Sequence, residues 1–250
     1  MGRFVGSTRL IVMDVRTGRV LEEGRRSIFD EDEWDWIQDK ARGDFDHLLI
    51  GTSDPYLLAP GLHYLESWSE AVCDGTWGTA AARVGERMRR TLDCDHWGAF
   101  QRSFMRLTRL LEEVGSGKRG RPPASICILS GDVHHAYLAE VAFRRDANVS
   151  SAVYQAVCSP FRKALGAHER LAVRIGHSRP AEVLVRALAH ATGVEDPDIR
   201  WRFACGPYFD NQIATLSLEG REASLTISKT VHDPEAEGPR LETAFERRIA

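Results

Sequence analysis

Apolar and polar positions alternate with two different periods along this chain. Leu10-Ile11-Val12-Met13-Asp14-Val15 is a β-branched apolar run ending in a polar cluster. That pattern predicts a strand buried on both faces, with Thr17-Gly18 turning the chain after it. Asp30 is placed to cap a helix running to Arg42, with Glu31, Asp32 and Glu33 at the end where the helix dipole favours anions. Trp34 and Ile37 share one face of that helix, Gly43 closes it, and His47-Leu48-Leu49-Ile50-Gly51 reads as the next buried strand. Helix, short turn and strand in this order predict a βαβ unit.

Further helices are predicted over 60–72 and 79–92, the latter breaking near Cys94. A helix over 96–114 carries Phe100, Phe104, Leu107, Leu110 and Leu111 on one stripe, the spacing of a core-facing helix. A loop over 115–123 leads to Ser125-Ile126-Cys127-Ile128-Leu129-Ser130, a run of pure burial character that passes straight into Gly131-Asp132. Strands are predicted over 137–143 and 151–157, and a helix over 180–192 with Pro180 in its first turn. A late all-β stretch follows over 201–204, 212–218 and 223–229, with Leu218-Glu219-Gly220-Arg221 as a hairpin turn. These elements make 1–232 one domain, and the polar, Pro- and Gly-containing composition of 233–250 predicts a loose tail.

Composition narrows the partners. With 43% hydrophobic and 28% charged residues over 250 positions, the chain has the profile of a soluble globular protein with one large core. Its 33 basic and 36 acidic residues are interspersed, so it lacks the basic face that a nucleic acid needs. The one basic run, Lys118-Arg119-Gly120-Arg121, reads as a solvated loop. Five dispersed cysteines without a Cys-x-x-Cys pair fit small buried thiols in a reducing compartment better than a disulfide framework or zinc ribbon. The first residues hold no signal-peptide pattern, and no apolar run approaches the ~20 residues of a membrane span. The expectation is a cytoplasmic protein with no membrane partner.

The segment that carries chemistry is Ser130-Gly131-Asp132-Val133-His134-His135-Ala136-Tyr137, directly after a buried strand. In α/β sheets ligands sit in the crevice beyond the carboxyl ends of the strands. Gly131 permits a tight backbone turn there. Asp132 and His134, two apart, point to the same side if the segment is extended, and could share an ion; His135 then points the other way. Carboxylate oxygen suits hard divalent ions, and iron, manganese or zinc also accept imidazole nitrogen. An ordinary loop with core imidazoles explains the same residues, and two donors fall short of the four to six positions that a metal wants.

The stretch Ser130-Gly-Asp-Val-His-His-Ala-Tyr-Leu-Ala-Glu140 is similar to the Gly-Asp-Val-His-His segment of PhoD-like phosphatases, within the calcineurin-like metallophosphoesterase superfamily. Asp14-Val-Arg16-Thr-Gly-Arg19 resembles that family's Asp-x-Arg strand end. Gly51-Thr-Ser53-x-Pro55-Tyr-Leu-Leu58, His96-Trp97-x-Ala-Phe100, Val157-Cys-Ser159-Pro160 and Phe209-Asp210-Asn211-Gln212 follow in the family's order. The resemblance covers roughly residues 9–229. It implies a four-layer α/β/β/α sandwich and a metal-dependent phosphoric-ester hydrolase, mono- or diesterase, acting on a small phosphate ester. It also implies two metal ions (iron, manganese, calcium or zinc) that bind the phosphate and activate water.

Carried over residue by residue, Asp132 becomes a metal ligand, and His134 a second ligand or the group that steadies the leaving oxygen. His135 becomes an orienting partner of the same catalytic segment. Arg16 becomes a phosphate contact, with a salt bridge beside Asp14 as the alternative. Ser53, where many relatives carry a ligating histidine, becomes a contact to phosphate or metal-bound water, with loop capping as the alternative. His96 is read as a helix cap or a buried residue, and Asp210 and Asn211 as turn residues.

The chain also departs from the family. The ligand motifs expected before the Asp-x-Arg strand, Gly-Asp and Asn-His or Asp-His, have no counterpart here, and Asp54 stands where an apolar residue is expected. The expectation is an incomplete sandwich lacking its N-terminal part, with little activity alone. A truncated product, a partial sequence and a split protein completed by a separate chain all fit. So does a non-catalytic interaction module that kept the fold without a complete metal centre.

Overall fold

The computed structural model describes residues 1–22, 24–91, 95–159, 165–232 and 238–250. Its strands are β1 (Gly2–Val5), β2 (Thr8–Val12), β3 (His47–Gly51), β4 (Ser125–Ser130), β5 (Ala136–Phe143) and β6 (Ala152–Val157). These continue as β7 (Ile199–Tyr208), β8 (Gln212–Glu219), β9 (Glu222–Val231) and β10 (Arg240–Arg248). The helices are α1 (Glu31–Lys40), α2 (Pro60–Cys73), α3 (Thr79–Thr91), α4 (Gln101–Gly115), α5 (Ala167–Gly176) and α6 (Arg179–Ala191). A seven-stranded sheet runs in the order β1-β2-β3-β4-β6-β5-β7, and a three-stranded sheet in the order β10-β9-β8. The protein is mixed α/β.

The parallel block β2-β3-β4-β6 is what fully apolar strand sequences favour, because both faces are covered. On one face Ile11, Leu48, Ile50, Ile126 and Ile128 meet Trp34 and Ile37 of α1 and Phe104, Leu107 and Leu111 of α4. The centre of that layer is aromatic: Tyr56 stacks on Phe104 at 4.5 Å between ring centres and takes Trp97 edge-on at 5.3 Å. On the other face Cys127, Leu138, Tyr154 and Ala156 pack against Ala223, Leu225 and Ile227 of β9. β4 is buried between these two cores, and Gly131-Asp132 follows directly at its less buried carboxyl end.

Most predicted elements stand near their expected bounds. Asp30 caps α1, its carboxylate accepting from the Glu33 amide at 2.8 Å. The β8–β9 hairpin turns at Gly220, whose φ of 57° is left-handed. Four readings change. The strand predicted over 10–15 pairs only over Thr8–Val12. The helix predicted over 96–114 is two pieces, a 3₁₀ turn at Trp97–Ala99 and then α4, because Phe100 leaves the helical region and Glu70 takes the Gln101 amide at 3.0 Å. The helix α5, unforeseen, buries only Gly176.

The fourth change concerns the tail. Arg240–Arg248 is a strand rather than a loose tail, paired antiparallel with β9 from Arg240↔Val231 to Arg248↔Ser224. The expected break near Cys94 lies outside the described residues. The basic run at 118–121 is tied down, Arg119 to Glu113 at 2.6 Å and Arg121 to Asp46 at 2.8 Å. Among the described residues Cys73, Cys127, Cys158 and Cys205 are all free thiols, and no helix is long and apolar enough to cross a membrane.

Candidate functional site

The carboxyl ends of the parallel strands are stitched together by their backbones. The Met13 amide donates to Gly51 O (2.9 Å), Thr52 to Leu129 O (3.0 Å), Gly131 to Ser53 O (3.2 Å) and Cys158 to Ser130 O (3.1 Å). The Ser159 hydroxyl accepts from the Val133 amide at 3.3 Å, anchoring the segment after β4 to the end of β6. The loops after β2, β3 and β4 therefore form one rim, which brings Arg16, Asp54 and Asp132 together.

The segment after β4 is not extended. Asp132 (φ 67°) and His134 (φ 56°) both adopt the left-handed conformation, so the same-side placement expected from a period of two does not apply. Asp132 is exposed over 45% of its side chain and forms an ion pair with Arg16. His134 is half-buried, with its Nδ1 enclosed and unpartnered. His135 is 4% exposed and packs on Tyr137, His177 and Phe209, its Nδ1 lying 2.6 Å from Val133 O. Burial, above all, lowers its pKa to about 4, so at neutral pH it is an uncharged ring that shapes the loop.

Arg16 meets the phosphate-contact expectation only in part. Its guanidinium bridges Asp132 and Asp54, the latter at 3.2 Å, while the side chain stays 58% exposed. The salt bridge weighed as an alternative is present, but to these two carboxylates rather than to Asp14. Asp14 instead closes its own turn, accepting from the Thr17 hydroxyl and from the amides of Thr17 (2.9 Å) and Arg16 (3.1 Å). Those bonds, the Thr17 hydroxyl first, lower its pKa to about 2. Ser53 is exposed on the rim, while neighbouring Thr52 is buried and its hydroxyl donates to Asp54 O at 3.1 Å.

Sequence reasoning missed the residue at the centre. Asp54 is 5% exposed at its side chain and accepts from Arg16 on one oxygen and from Arg19, at 2.5 Å, on the other. Arg19 also holds Asp95 at 2.8 Å and the Val15 carbonyl at 2.7 Å. The signal was available: Asp54 was the odd polar residue in an apolar context, and Arg19 closes the Asp14–Arg19 motif. Behind this chain His96 does not cap its turn but places Nδ1 2.9 Å from Glu66 Oε1. Burial alone would lower the His96 pKa, but the Glu66 hydrogen bond and charge, with Asp95 and Asp54, raise it to about 9.

The rim is therefore a row of alternating charge, Asp132, Arg16, Asp54, Arg19 and Asp95, with exposed ends and a buried middle. Among the described residues no three His, Cys, Asp or Glu side chains are grouped to hold a metal ion. A separate cleft of about 740 Å³, lined by Tyr64, Arg144, Arg186, Asp196 and Trp201 among others, contains none of the sequence-predicted site residues. Compared with protein-family models, curated proteins and solved structures, the chain matches none.

Proposed function

We propose that the rim belongs to a phosphoric-ester hydrolase of the PhoD-like kind, a mono- or diesterase for small phosphate esters. The observation that carries the reading is the Gly131–His135 junction. There two strained residues hold an exposed carboxylate and a half-buried imidazole at the end of a central parallel strand, beside a solvent-facing arginine. In this reading the Arg16 fork and the exposed Ser53 hydroxyl receive phosphate oxygens, and His134 lies near the leaving oxygen. Buried, neutral His135 fixes the loop that carries His134. A seven-stranded mixed sheet with helices packed on one face and a three-stranded sheet on the other is compatible with part of the α/β/β/α sandwich that this class implies.

The donor set does not by itself fit the two-metal centre of that class. Asp132 and His134 supply two donors, the Asp132 carboxylate already carries a guanidinium, and no third metal-binding side chain joins them among the described residues. Iron, manganese, calcium or zinc would need donors from another polypeptide segment, so no step is assigned to a metal here. The same observation favours a second reading, an interaction module with the fold but without a complete metal centre. The deciding experiment assays p-nitrophenyl phosphate and its bis ester with added manganese, iron or calcium. Turnover that disappears in Asp132→Ala supports the hydrolase, and no turnover with any of these ions leaves the module as the function of this chain.

A further inference from the structure

The cleft of about 740 Å³ has the volume of a small-molecule site and stands apart from the rim. Strand β5 begins at Ala136, next to His135, and ends at Phe143 in the cleft wall, a span of about 23 Å at the usual strand rise. Arg144 and Arg145 follow β5, and Arg200 and Trp201 stand on β7 beside it, in the register Ala142↔Arg200. Tyr64 of α2 and Glu182 and Arg186 of α6 supply the helical side.

Most charges in this lining are already engaged. Asp196 accepts from the Tyr64 hydroxyl at 2.8 Å and from Arg186 Nε at 2.8 Å, and lies 2.9 Å from His190 Nε2. Arg144 reaches both Asp146 (3.5 Å) and Asp198 (3.7 Å). Among the described residues the Arg145 and Arg200 side chains have no hydrogen bond or ion pair, and Glu182 has no direct ion pair. Free cations therefore stand on the strand side and a free carboxylate on the helical side. Neighbouring guanidiniums without a counter-ion repel each other, and a shared anion relieves that repulsion. The cleft also presents aromatic surface held in advance: Trp201 donates its Nε1 to Leu58 O at 2.7 Å and meets His63 edge-on at 5.1 Å. We propose that the cleft binds a small anion, phosphate or carboxylate, attached to a flat ring that carries a hydrogen-bond donor. The anion meets Arg145 and Arg200, the ring lies against Trp201 and Tyr64, and the donor meets Glu182. This site is separate from the rim and stands whether or not the rim hydrolyses an ester.

The probes, titrated calorimetrically, are guanosine monophosphate, which has all three parts with a phosphate, and 4-aminobenzoate, which has them with a carboxylate. Guanosine and inorganic phosphate each lack one part. Guanosine monophosphate is expected to saturate the wild-type chain and to bind at least about tenfold more tightly than guanosine or phosphate alone. Whichever of the two complete probes binds more tightly identifies the anion. The double variant Arg145→Met/Arg200→Met should lose at least about tenfold in affinity for the complete probes. Glu182→Ala should weaken them about fivefold, the scale of one hydrogen bond, and leave inorganic phosphate unchanged. Arg145 and Arg200 are exposed, so the double variant should keep the wild-type circular dichroism spectrum and melting temperature. Arg16→Met, on the rim, should bind the probes as wild type does. Failure of both complete probes to saturate the chain, equal affinity in the folded double variant, or an equal loss in Arg16→Met overturns the proposal.

Discussion

At the scale of single residues, the informative feature is strain. Non-glycine residues reach the left-handed region at a cost of about 1–2 kcal/mol, less for aspartate, and Asp132 and His134 do so on either side of one valine. At an ordinary loop position histidine to glycine adds flexibility to the unfolded chain and destabilises. At His134 the strain relieved offsets that loss. His134→Gly is therefore expected to match or exceed the wild-type melting temperature while abolishing whatever the rim does; a clear drop in melting temperature would show that φ at 134 carries no strain. This is also where sequence reading stopped. The residue types after β4 were legible from Gly131 to His135, but their conformation was not, because alternation says nothing about a segment that leaves the extended region. Asp54 was noticed without its role, since two arginines spaced 35 or more positions away in sequence give it its meaning.

At the scale of elements, the sequence was readable wherever a segment buries its own apolar pattern. The strands β3, β4 and β6 are covered on both faces, and α4 sinks a full stripe from Phe104 to Val114 into the core. The elements that escaped have little to bury. Most of β10 is exposed and it exists because β9 offers its backbone, β1 likewise borrows β2, and α5 leaves Leu171 and Ile175 in solvent. Such elements are written in their partners rather than in themselves. Capping is the opposite case, a local rule that held. Asp30→Ala, which removes the carboxylate that caps α1, is expected to lower stability by about 1 kcal/mol in chemical denaturation. Asp30→Asn or Asp30→Ser should recover most of it; equal loss in all three would mean that charge at this helix end matters more than the cap.

At the scale of the molecule, the buried charges between α2 and the turn before α4 set how stability responds to pH. Glu70 is 9% exposed, and burial, above all, raises its pKa from 4.5 to about 8; the Gln101 amide and Arg26 oppose this, while Asp74 and Glu66 reinforce it. The native state thus keeps a proton that the unfolded chain releases above pH 4.5, so Glu70 makes stability fall as pH rises from about 4.5 to 8. His96, facing Glu66, Asp95 and Asp54, has a folded pKa raised from 6.5 to about 9, so its contribution is complete below pH 6.5 and is lost by about pH 9. The two windows overlap and have the same sign. On the acid side Asp196 acts the other way, its carboxyl held below the ordinary range first by Arg186, then by His190 and Tyr64, so its stabilisation is lost as pH falls below 3.8. Buried His63 and His135, whose pKa values burial lowers to about 3 and about 4, stay neutral when folded and outweigh Glu70 below pH 6.5, so the melting temperature should be highest near pH 6.5 and decline to pH 9. Glu70→Gln keeps an acceptor for the Gln101 amide at 3.0 Å but has no proton to lose. It should steepen the rise below pH 6.5 and soften the decline between pH 6.5 and 8, leaving the His96 part of the decline to pH 9 in place. A wild-type profile flat from pH 6.5 to 9 would mean that Glu70 and His96 titrate in the folded protein as they do in the unfolded chain, and that the buried polar layer behind the rim is open to water.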